Sequence, residues 1–378
     1  MAAVVPKIRF PPLPSVPDLL KLYRLRARKQ LSQNFLLNER ITRRFVNSAG
    51  KLKDAHVIEV GPGPGPITRS IMNKFPQRII VVEKDKRFKP TLEMLAESFA
   101  TVDRKMTIVF NDIRKVDMSE MLDESLKENW DGRCPRIYVL GNLPFSVSTP
   151  LIIQWLRDIS KRNNVWKMGR ARLCLTFQKE VAERIVANVR NRQRCRLSVM
   201  AQAWTNPTYC FTIRGVSFIP KPEVDVGVVR MEPLVKPRTS HDFDLFEKIT
   251  RHVFCFRQKH VIFCLRTLFP PYIKDDLALL MLNLADLDPG MRSFELSVED
   301  IDRLCTAYKY VIEKHPELKD YNYRASRKIL SKNYTQNIEV SEFPDDEEDE
   351  EEFSDELEDI KYLVSGLEES ADNNLKST

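Results

Sequence analysis

The sequence lacks the signatures of disulfide frameworks, structural zinc sites and membrane-spanning segments. Its seven cysteines are scattered without a CxxC pair, and their odd number favours free thiols in a reducing compartment. No run of about 18 apolar residues occurs, so no membrane span is predicted. Internal repeats are absent as well. The 378 residues are 43% hydrophobic and 30% charged, which predicts a globular protein of about two domains.

Charge is divided unevenly along the chain. The formal net charge is +7, but residues 341–378 contain 16 Asp and Glu against 2 Lys and Arg, a net charge of −14. Residues 1–340 carry the remaining 58 Lys and Arg against 37 Asp and Glu, a net charge of +21, which is typical of a protein that binds a polyanion. The acidic segment 341–378 is predicted to be a disordered, solvating tail. The alternative is a competitor that folds back on the basic surface.

The start of the chain is basic and amphipathic. Its first 30 residues contain seven Lys and Arg and a single acid, Asp18. In a helix, Leu19, Leu20, Tyr23 and Leu31 would lie near one face, with basic groups on the other. Because mitochondrial import sequences have this character, residues 1–28 are predicted to target the chain to the mitochondrial matrix. A basic arm that binds nucleic acid is the other interpretation, and the two are compatible.

Between residues 55 and 231, short apolar runs alternate with amphipathic stretches. Because strands that alternate with helices form mostly parallel sheets covered on both faces, this part predicts an α/β domain, assigned to residues 29–235. Helices are predicted at 67–75 and 87–99. The predicted strands are 55–60, 78–83, 107–110, 136–140 and 171–177, followed by 209–213 and 226–231.

From about residue 240 the apolar residues recur at helical spacing, which predicts a small all-helical domain over residues 240–335. The helical stretches of this domain are 242–256, 275–285 and 297–314.

A proline inside the α/β part also marks the start of a helix. Pro150 is predicted to begin the helix after strand 136–140, with Thr149 as its N-cap.

A glycine-rich turn, EVGPGPGPIT (59–68), follows the first predicted strand. Its glycines allow a sharp turn and a close approach of a ligand, and Glu83, at the end of the next strand, can accept hydrogen bonds from ribose hydroxyls. A nicotinamide dinucleotide site would have a third glycine where this sequence has Pro66. We therefore expect a nucleoside without a pyrophosphate, namely S-adenosylmethionine, and disfavour an oxidoreductase. A tight turn without a ligand is the simpler alternative.

Two further strand ends carry polar groups of the same kind. Asp112 follows the third strand, where its carboxylate can accept the adenine amino group and the backbone N–H of Ile113 can reach a ring nitrogen. The fourth strand ends at Asn142. Because the carboxyl ends of parallel strands meet at one edge of the sheet, these groups are predicted to form one site.

The segment 141–150, GNLPFSVSTP, places an amide, a proline and an aromatic ring directly after a strand. Methylation of an exocyclic amine requires that the nitrogen lone pair be withdrawn from conjugation with the ring. Acceptors that hold the amine N–H groups do this, and the Asn142 side-chain oxygen and the Leu143 carbonyl are such acceptors. Pro144 fixes the turn, and Phe145 offers a face on which a purine can stack. The pattern predicts methyl transfer to an adenine amine.

With these motifs in order, the sequence closely resembles the rRNA adenine N6-dimethyltransferases, most of all their mitochondrial members, also called mitochondrial transcription factor B. The resemblance covers roughly residues 20–335. It implies a Rossmann-like S-adenosylmethionine-dependent methyltransferase domain followed by a small helical domain. The matching segments include KQLSQNFLLNERI, EVGPGPGPITRSI, VVEKD, GNLPFSVSTPLI, LTFQKEVAERI, RLSVMAQ, FIPKPEVDVGVV and LADLDPGMRSFELSVEDIDRLC.

The resemblance also implies roles for individual residues. The target adenine would lie between Phe145 and Phe218, and Phe35 could pack near the same pocket. Asn142 would serve both the cofactor and the target. Leu143 and Pro144 belong to the predicted catalytic set only. Residues implied to bind S-adenosylmethionine are Gln33, Asn34, Leu36, Glu59, Gly61, Gly63, Glu83, Lys84, Asp112, Ile113 and Asn142.

The implied substrate is a pair of adjacent adenosines in the hairpin loop near the 3′ end of mitochondrial small-subunit rRNA, each methylated twice during ribosome assembly. The helical domain would hold the stem, and the protein would act as a monomer. The alternative is a transcription factor that uses the fold as a scaffold to bind DNA or mitochondrial RNA polymerase.

Two basic stretches are predicted to contact RNA phosphates, giving affinity without sequence choice. A solvated surface is the simpler interpretation of both stretches. His260 is expected to belong to the same surface and to serve neither as a ligand nor as a base. The residues are Arg190, Arg192, Arg194 and Arg196 in the first stretch, and Arg257 and Lys259 in the second.

Overall fold

The computed structural model describes residues 10–27, 33–256 and 258–323. The predicted acidic tail, the last residues of the predicted helical domain and Arg257 lie outside the described residues. Within those ranges, no helix is both long enough and apolar enough to cross a bilayer.

Nine strands are found in the described residues. All seven strands expected from the sequence are present, with ends that differ by a few residues, and two short strands were not predicted. The strands are β1 (Phe35–Leu36), β2 (His56–Val60), β3 (Arg78–Glu83), β4 (Lys105–Phe110), β5 (Ile137–Gly141), β6 (Arg172–Gln178), β7 (Thr205–Ile213), β8 (Phe218–Ile219) and β9 (Val226–Pro233).

Seven of these strands form one sheet in the order β4-β3-β2-β5-β6-β9-β7. The five strands from β4 to β6 are parallel, and β9 pairs antiparallel with both β6 and β7. The central strands are buried almost throughout, as expected for a parallel sheet covered on both faces. The two unpredicted strands, β1 and β8, pair with each other in a separate ribbon.

Eleven α-helices connect and cover the strands within the described ranges. The helix predicted to begin near residue 240 and the two that follow it are present, with an additional short helix between them. The helices are α1 (Val16–Leu22), α2 (Glu39–Ala49), α3 (Pro66–Met72), α4 (Lys89–Ala100), α5 (Phe145–Lys161), α6 (Lys179–Val186), α7 (Arg196–Trp204), α8 (Phe243–Val253), α9 (Val261–Arg266), α10 (Lys274–Leu284) and α11 (Val298–Lys314).

The predicted start of α5 is wrong. The helix begins at Phe145, and Pro150 lies inside it. The carbonyl of Pro144 accepts the N–H groups of Val147 at 2.9 Å and Ser148 at 3.0 Å, which closes the first turn earlier than predicted. Proline removes one internal hydrogen bond, to the carbonyl of Ser146, but that residue is exposed and its carbonyl can be solvated. Phe145 is therefore held at the helix start.

The described part of the predicted leader packs against the α/β domain. The Phe10 ring stacks on Phe75 with centroids 5.4 Å apart, and Leu19 in α1 is fully buried, as the amphipathic pattern suggests. Arg87 donates to the carbonyl of Arg26 at 3.2 Å. Tyr23 on the predicted apolar face is 40% exposed, whereas Leu31 lies outside the described residues. Residues 10–27 thus contribute to the core of the protein.

An aromatic cluster connects the sheet region to the helices that follow it. The Trp204 ring at the end of α7 lies 4.9 Å from Phe243 and 5.2 Å from Phe246, both in α8. The guanidinium of Arg157 in α5 lies 4.6 Å above the Phe243 ring. The boundary predicted between residues 235 and 240 falls just before α8, and its description as a domain boundary stays a prediction.

The structure contradicts the prediction that Arg194 contacts RNA. Its side chain is only 1% exposed, and burial lowers the pKa of its guanidinium. The guanidinium donates to the carbonyl of Leu296 at 2.9 Å, to that of Ala187 at 2.9 Å and to Gln202 Oε1 at 2.8 Å. Sequence alone could not separate this residue from its exposed neighbours, because all three acceptors lie outside the Arg-rich run.

Replacing Arg194 by Gln should lower the free energy of unfolding by roughly 3 kcal/mol, because several buried acceptors lose a charged donor. Urea unfolding followed by circular dichroism measures this change. Arg192→Gln, at an exposed position of the same stretch, is the matched control and should change stability by less than about 0.5 kcal/mol. Equal midpoints for the two variants would contradict a structural role of Arg194.

Candidate active site

The carboxyl ends of the parallel strands surround a cavity of about 320 Å³. The cavity brings together the polar groups predicted at four strand ends, as expected for an open parallel sheet. Every residue predicted to contact the cofactor or the target lines it, except Glu59. These residues are Gln33, Asn34, Leu36, Gly61, Gly63, Glu83, Lys84, Asp112, Ile113, Asn142, Leu143, Pro144, Phe145 and Phe218.

The glycine-rich turn forms one wall of the cavity, and its three glycines all have positive φ angles. Gly61, Gly63 and Gly65 have φ angles of 68°, 54° and 86°, in the left-handed region that favours glycine. A side chain at Gly65 would also lie 2.4 Å from Leu95 Cδ1. Pro66 occupies the first turn of α3, where a missing N–H removes no helical hydrogen bond.

Glu83 ties this turn to the end of β3. Its Oε2 accepts the N–H of Gly63 at 2.9 Å, and its Oε1 accepts the N–H of Asp85 at 2.8 Å. The residue is 6% exposed, and burial raises the pKa of the carboxyl, opposed by these backbone donors. Each oxygen retains a second lone pair, so the carboxylate can still accept a hydroxyl from the cavity.

Glu59, by contrast, lies behind the cavity wall. It is 1% exposed, so its carboxyl is enclosed by the protein. Burial raises the pKa of this group to about 8, so the carboxyl is mostly protonated at neutral pH. The structure does not bring Glu59 into the set of cavity residues, which corrects its assignment to direct cofactor contact.

Asp112 belongs to a group of charged residues that line the cavity. Lys84 Nζ lies 3.1 Å from its Oδ2, and Arg114 Nη2 lies 2.6 Å from the same oxygen. The hydrogen bond from the Arg114 guanidinium holds the pKa of the Asp112 carboxyl far below its usual range. Arg114 also lines the cavity and was missed by the sequence interpretation. Its position two residues after the strand-end acid was the available signal.

The Asn142 carboxamide is held by two hydrogen bonds. Its Nδ2 donates to the carbonyl of Asn34 at 3.1 Å, and its Oδ1 accepts the hydroxyl of Thr176 at 2.9 Å. Thr176 was also missed, because nothing in its local sequence distinguishes it from a core residue of a strand. Pro144 is the N-cap of α5, so the amide lies close to the start of the helix.

The ribbon of β1 and β8 closes the side of the cavity. It pairs Phe35 with Ile219 and Leu36 with Phe218, and Gln33 at its start donates to Asp85 at 3.1 Å. Phe35 and Phe218 both line this cavity.

The two aromatic residues predicted to hold the target base differ in exposure. Phe145 is half-buried, whereas Phe218 is 3% exposed and forms part of the hydrophobic core. A base could reach the exposed face of the first ring directly, but the second ring would have to become more accessible. The predicted sandwich stays a prediction.

The two basic stretches meet at a common segment, residues 291–296. The N–H of Arg190 donates to the carbonyl of Phe294 at 2.9 Å, and His260 pairs with Arg292 in an isolated β-bridge. Lys259, like Arg190, has an exposed side chain. The structure thus joins stretches that are about 70 residues apart in sequence.

The other predicted RNA contacts differ in their environment. Arg192 is exposed, and Arg196 is partly exposed and lies 3.8 Å from Glu247. Arg292, which the sequence interpretation did not include, is exposed beside the first group. Arg257 lies outside the described residues.

A family model described as "Ribosomal RNA adenine dimethylase" matches residues 24–290, which is more than two thirds of the chain. The chain belongs to the ribosomal RNA adenine dimethylase family. The match includes both the glycine-rich turn and the Asn142–Phe145 segment. It confirms the predicted class of enzyme, an rRNA adenine dimethyltransferase.

Comparison with individual proteins gives the same family. The chain is 48% identical to a human protein named "Dimethyladenosine transferase 1, mitochondrial", over 85% of this chain and 92% of that one. It is 47% identical to the protein of that name from Xenopus laevis, over 84% and 92%. These identities confirm the resemblance to the mitochondrial members.

A solved structure supports the fold of the dimethylase. The crystal structure of a dimethyladenosine transferase from Plasmodium falciparum matches with a TM-score of 0.54 at 20% identity, over 72% of this chain and 96% of that one. Together with the observed sheet, it confirms the predicted α/β methyltransferase fold followed by helices.

Replacing Glu59 by Gln should change how stability depends on pH. The folded protein keeps a proton on Glu59 up to about pH 8, whereas the usual glutamate value is 4.5, so the wild type loses stability as pH rises between these values. The variant lacks this loss. As pH rises, the ratio of its unfolding equilibrium constant to that of the wild type should therefore fall by up to about tenfold per pH unit.

Urea unfolding between about pH 5 and about pH 8 tests this expectation. Glu93→Gln, at an exposed position in α4, is the control and should follow the wild type across the whole range. A stability difference between Glu59→Gln and wild type that does not vary with pH would show that the carboxyl is ionised in the folded protein.

Proposed function

We propose that this dimethylase transfers methyl groups from S-adenosylmethionine to two adjacent adenosines in the hairpin loop near the 3′ end of mitochondrial small-subunit rRNA. Each adenosine would receive two methyl groups on N6, as a step in small-subunit assembly. The observation that carries the proposal is the shared cavity. The carboxamide of Asn142 and the ring of Phe145 line the same space as Glu83 and Asp112.

The donor groups of the cavity fit S-adenosylmethionine better than a dinucleotide. A dinucleotide site offers backbone N–H groups of the glycine-rich turn and the helix start to a pyrophosphate. Here the N–H of Gly63 is directed to the Glu83 carboxylate, and Pro66 has no N–H to offer. Family membership likewise implies S-adenosylmethionine. When bound, this cofactor supplies an electrophilic methyl group on its sulfonium.

The remaining cofactor contacts follow from the positions of the acids. Glu83 would hold the ribose with Lys84 beside it, while Asp112 and the backbone N–H of Ile113 would hold the adenine. Gln33, Asn34 and Leu36 would contact the cofactor from the β1 side, and Gly61 and Gly63 from the turn.

The chemistry would depend on acceptors and not on a strong base. The Asn142 oxygen and the Leu143 carbonyl would accept the target N–H groups, which frees the N6 lone pair to attack the methyl carbon. The methyl group would come from the sulfonium of the cofactor, which would leave as a thioether, and the amine proton would pass to solvent. Stacking of the adenine on Phe145 would contribute about 1–3 kcal/mol, with Phe218 on its other side.

The target must be unpaired, because N6 is not reachable inside a duplex. A hairpin loop meets this requirement, since its bases can be splayed onto aromatic side chains. The stem of such a hairpin would supply phosphates for the basic residues of the loops around residues 190, 259 and 292. The helical region 240–335 would hold the stem.

The cellular setting follows from the relatives and the start of the chain. Both named relatives are mitochondrial, and residues 1–28 have the composition of an import sequence. We place the enzyme in the mitochondrial matrix, acting as a monomer on the assembling small ribosomal subunit. A scaffold that binds DNA or mitochondrial RNA polymerase would not require the shared cavity.

The proposal is tested with recombinant protein, S-adenosylmethionine and a synthetic 3′-terminal hairpin RNA. Digestion to nucleosides and mass spectrometry should reveal N6,N6-dimethyladenosine. Asn142→Ala should lower the methylation rate at saturating cofactor by about 100-fold or more, because a preorganised acceptor is lost. Asn283→Ala, at an exposed position in α10, is the control. An unchanged rate in Asn142→Ala with a native circular dichroism spectrum would refute the assigned role.

The double variant Arg190→Gln, Lys259→Gln should weaken RNA binding in a salt-dependent way. Both side chains are exposed, and neither forms an ion pair with a described residue. Loss of two phosphate contacts should reduce the slope of log K against log salt by about two.

Fluorescence anisotropy with the labelled hairpin at several salt concentrations measures this slope. Lys105→Gln, at an exposed position at the start of the edge strand β4, is the matched control and should leave the slope unchanged. Equal slopes for the double variant and the control would show that Arg190 and Lys259 do not contact RNA phosphates.

A further inference from the structure

Thr176 is the buried neighbour of the residue at the centre of the proposed reaction. It lies in β6, beside β5, and is fully buried. The register pairs Gly141 with Leu175, so the next residues, Asn142 and Thr176, follow side by side. The Thr176 hydroxyl lies 2.9 Å from Asn142 Oδ1. Thr176 does not line the cavity, so any effect on the reaction would pass through Asn142.

Two partners fix the orientation of the Asn142 carboxamide. The terminal torsion of asparagine is broad and has two nearly equivalent orientations, so the amide plane needs external contacts to hold it. The Asn34 carbonyl accepts from Nδ2 at 3.1 Å, which identifies the nitrogen side of the amide. The Thr176 hydroxyl, as a donor, satisfies one lone pair of Oδ1 and leaves the other for the cavity.

This orientation decides whether the amide can help the reaction. With Oδ1 turned toward the target, Asn142 accepts an N–H group of the adenine amine. With the amide reversed, its NH₂ would face the NH₂ of the adenine, and two donors do not bind each other. A hydroxyl that holds Oδ1 in place therefore favours the productive orientation.

We propose that Thr176 is a positioning residue for methyl transfer, because its hydroxyl holds the Asn142 carboxamide with Oδ1 available to the target amine. The inference rests on the proposed function. The effect should be greater for the second methyl group. After the first transfer the amine has a single N–H, and a poorly oriented acceptor is then harder to replace.

The test is Thr176→Val, which keeps the branched shape and removes the hydroxyl. We expect kcat to fall by about tenfold, as for other residues that orient a functional side chain, while KM for the RNA and Kd for the cofactor stay within about twofold. The product should shift from N6,N6-dimethyladenosine toward N6-methyladenosine. Thr176→Ser, which keeps the hydroxyl, should restore both the rate and the dimethyl product.

Thr205→Val is the matched control. Thr205 is also a fully buried strand threonine whose hydroxyl makes a hydrogen bond, at 2.7 Å to the carbonyl of Ala201 and outside the cavity. Its variant should keep wild-type kcat and product ratio. Thermal unfolding of all three variants separates any loss of fold from loss of positioning.

Two outcomes would overturn the proposal. One is a Thr176→Val enzyme with wild-type kcat and wild-type product ratio. The other is a defect that Thr176→Ser does not relieve, since this would indicate packing and not the hydroxyl. A wild-type protein that fails to methylate the hairpin would instead contradict the proposed function, so the two failures are distinguishable.

Discussion

Parallel pairing of five strands is the constraint on which the candidate site depends. The carboxyl ends of these strands all lie at the same edge of the sheet. The register places Val60 beside both Val82 and Gly141. The residues that follow these positions are the glycine-rich turn, Glu83 and Asn142. None of them has neighbours in sequence that would bring it to the others. The sheet brings these separate segments to one cavity, and the burial of the strands stabilises that arrangement.

Two kinds of residue line the cavity. Glu83 and Asp112 are acids, and each is already held by backbone or cationic donors. Asn142 and Phe145 instead contribute an amide and an aromatic ring. Such a division suits methyl transfer to an amine, which needs oriented acceptors and a stacking surface more than it needs a base. The acids instead suit the hydroxyl and amino groups of a nucleoside.

Much of this was predictable from sequence because it depends on local signals. Continuous apolar runs located the buried strands, and the residues after them located the site. The start of α5 was not predictable from Pro150, because the hydrogen bonds of the Pro144 carbonyl decided it. Thr176 and the pairing of β1 with β8 were missed for a related reason. Their partners lie far away in sequence. No local sequence pattern predicts the contact of a threonine within a strand or the pairing of a two-residue strand.

Arg194 shows why a run of like charges cannot be interpreted as one surface. Its buried guanidinium donates to carbonyls on two segments, those of Ala187 and Leu296. These bonds hold the loop 187–195 against the residues that precede α11, where the N–H of Arg190 also meets Phe294. One arginine of the run therefore positions the loop, and the loop in turn exposes its neighbours to solvent. The basic surface that we propose for RNA thus depends on a basic residue that cannot reach RNA.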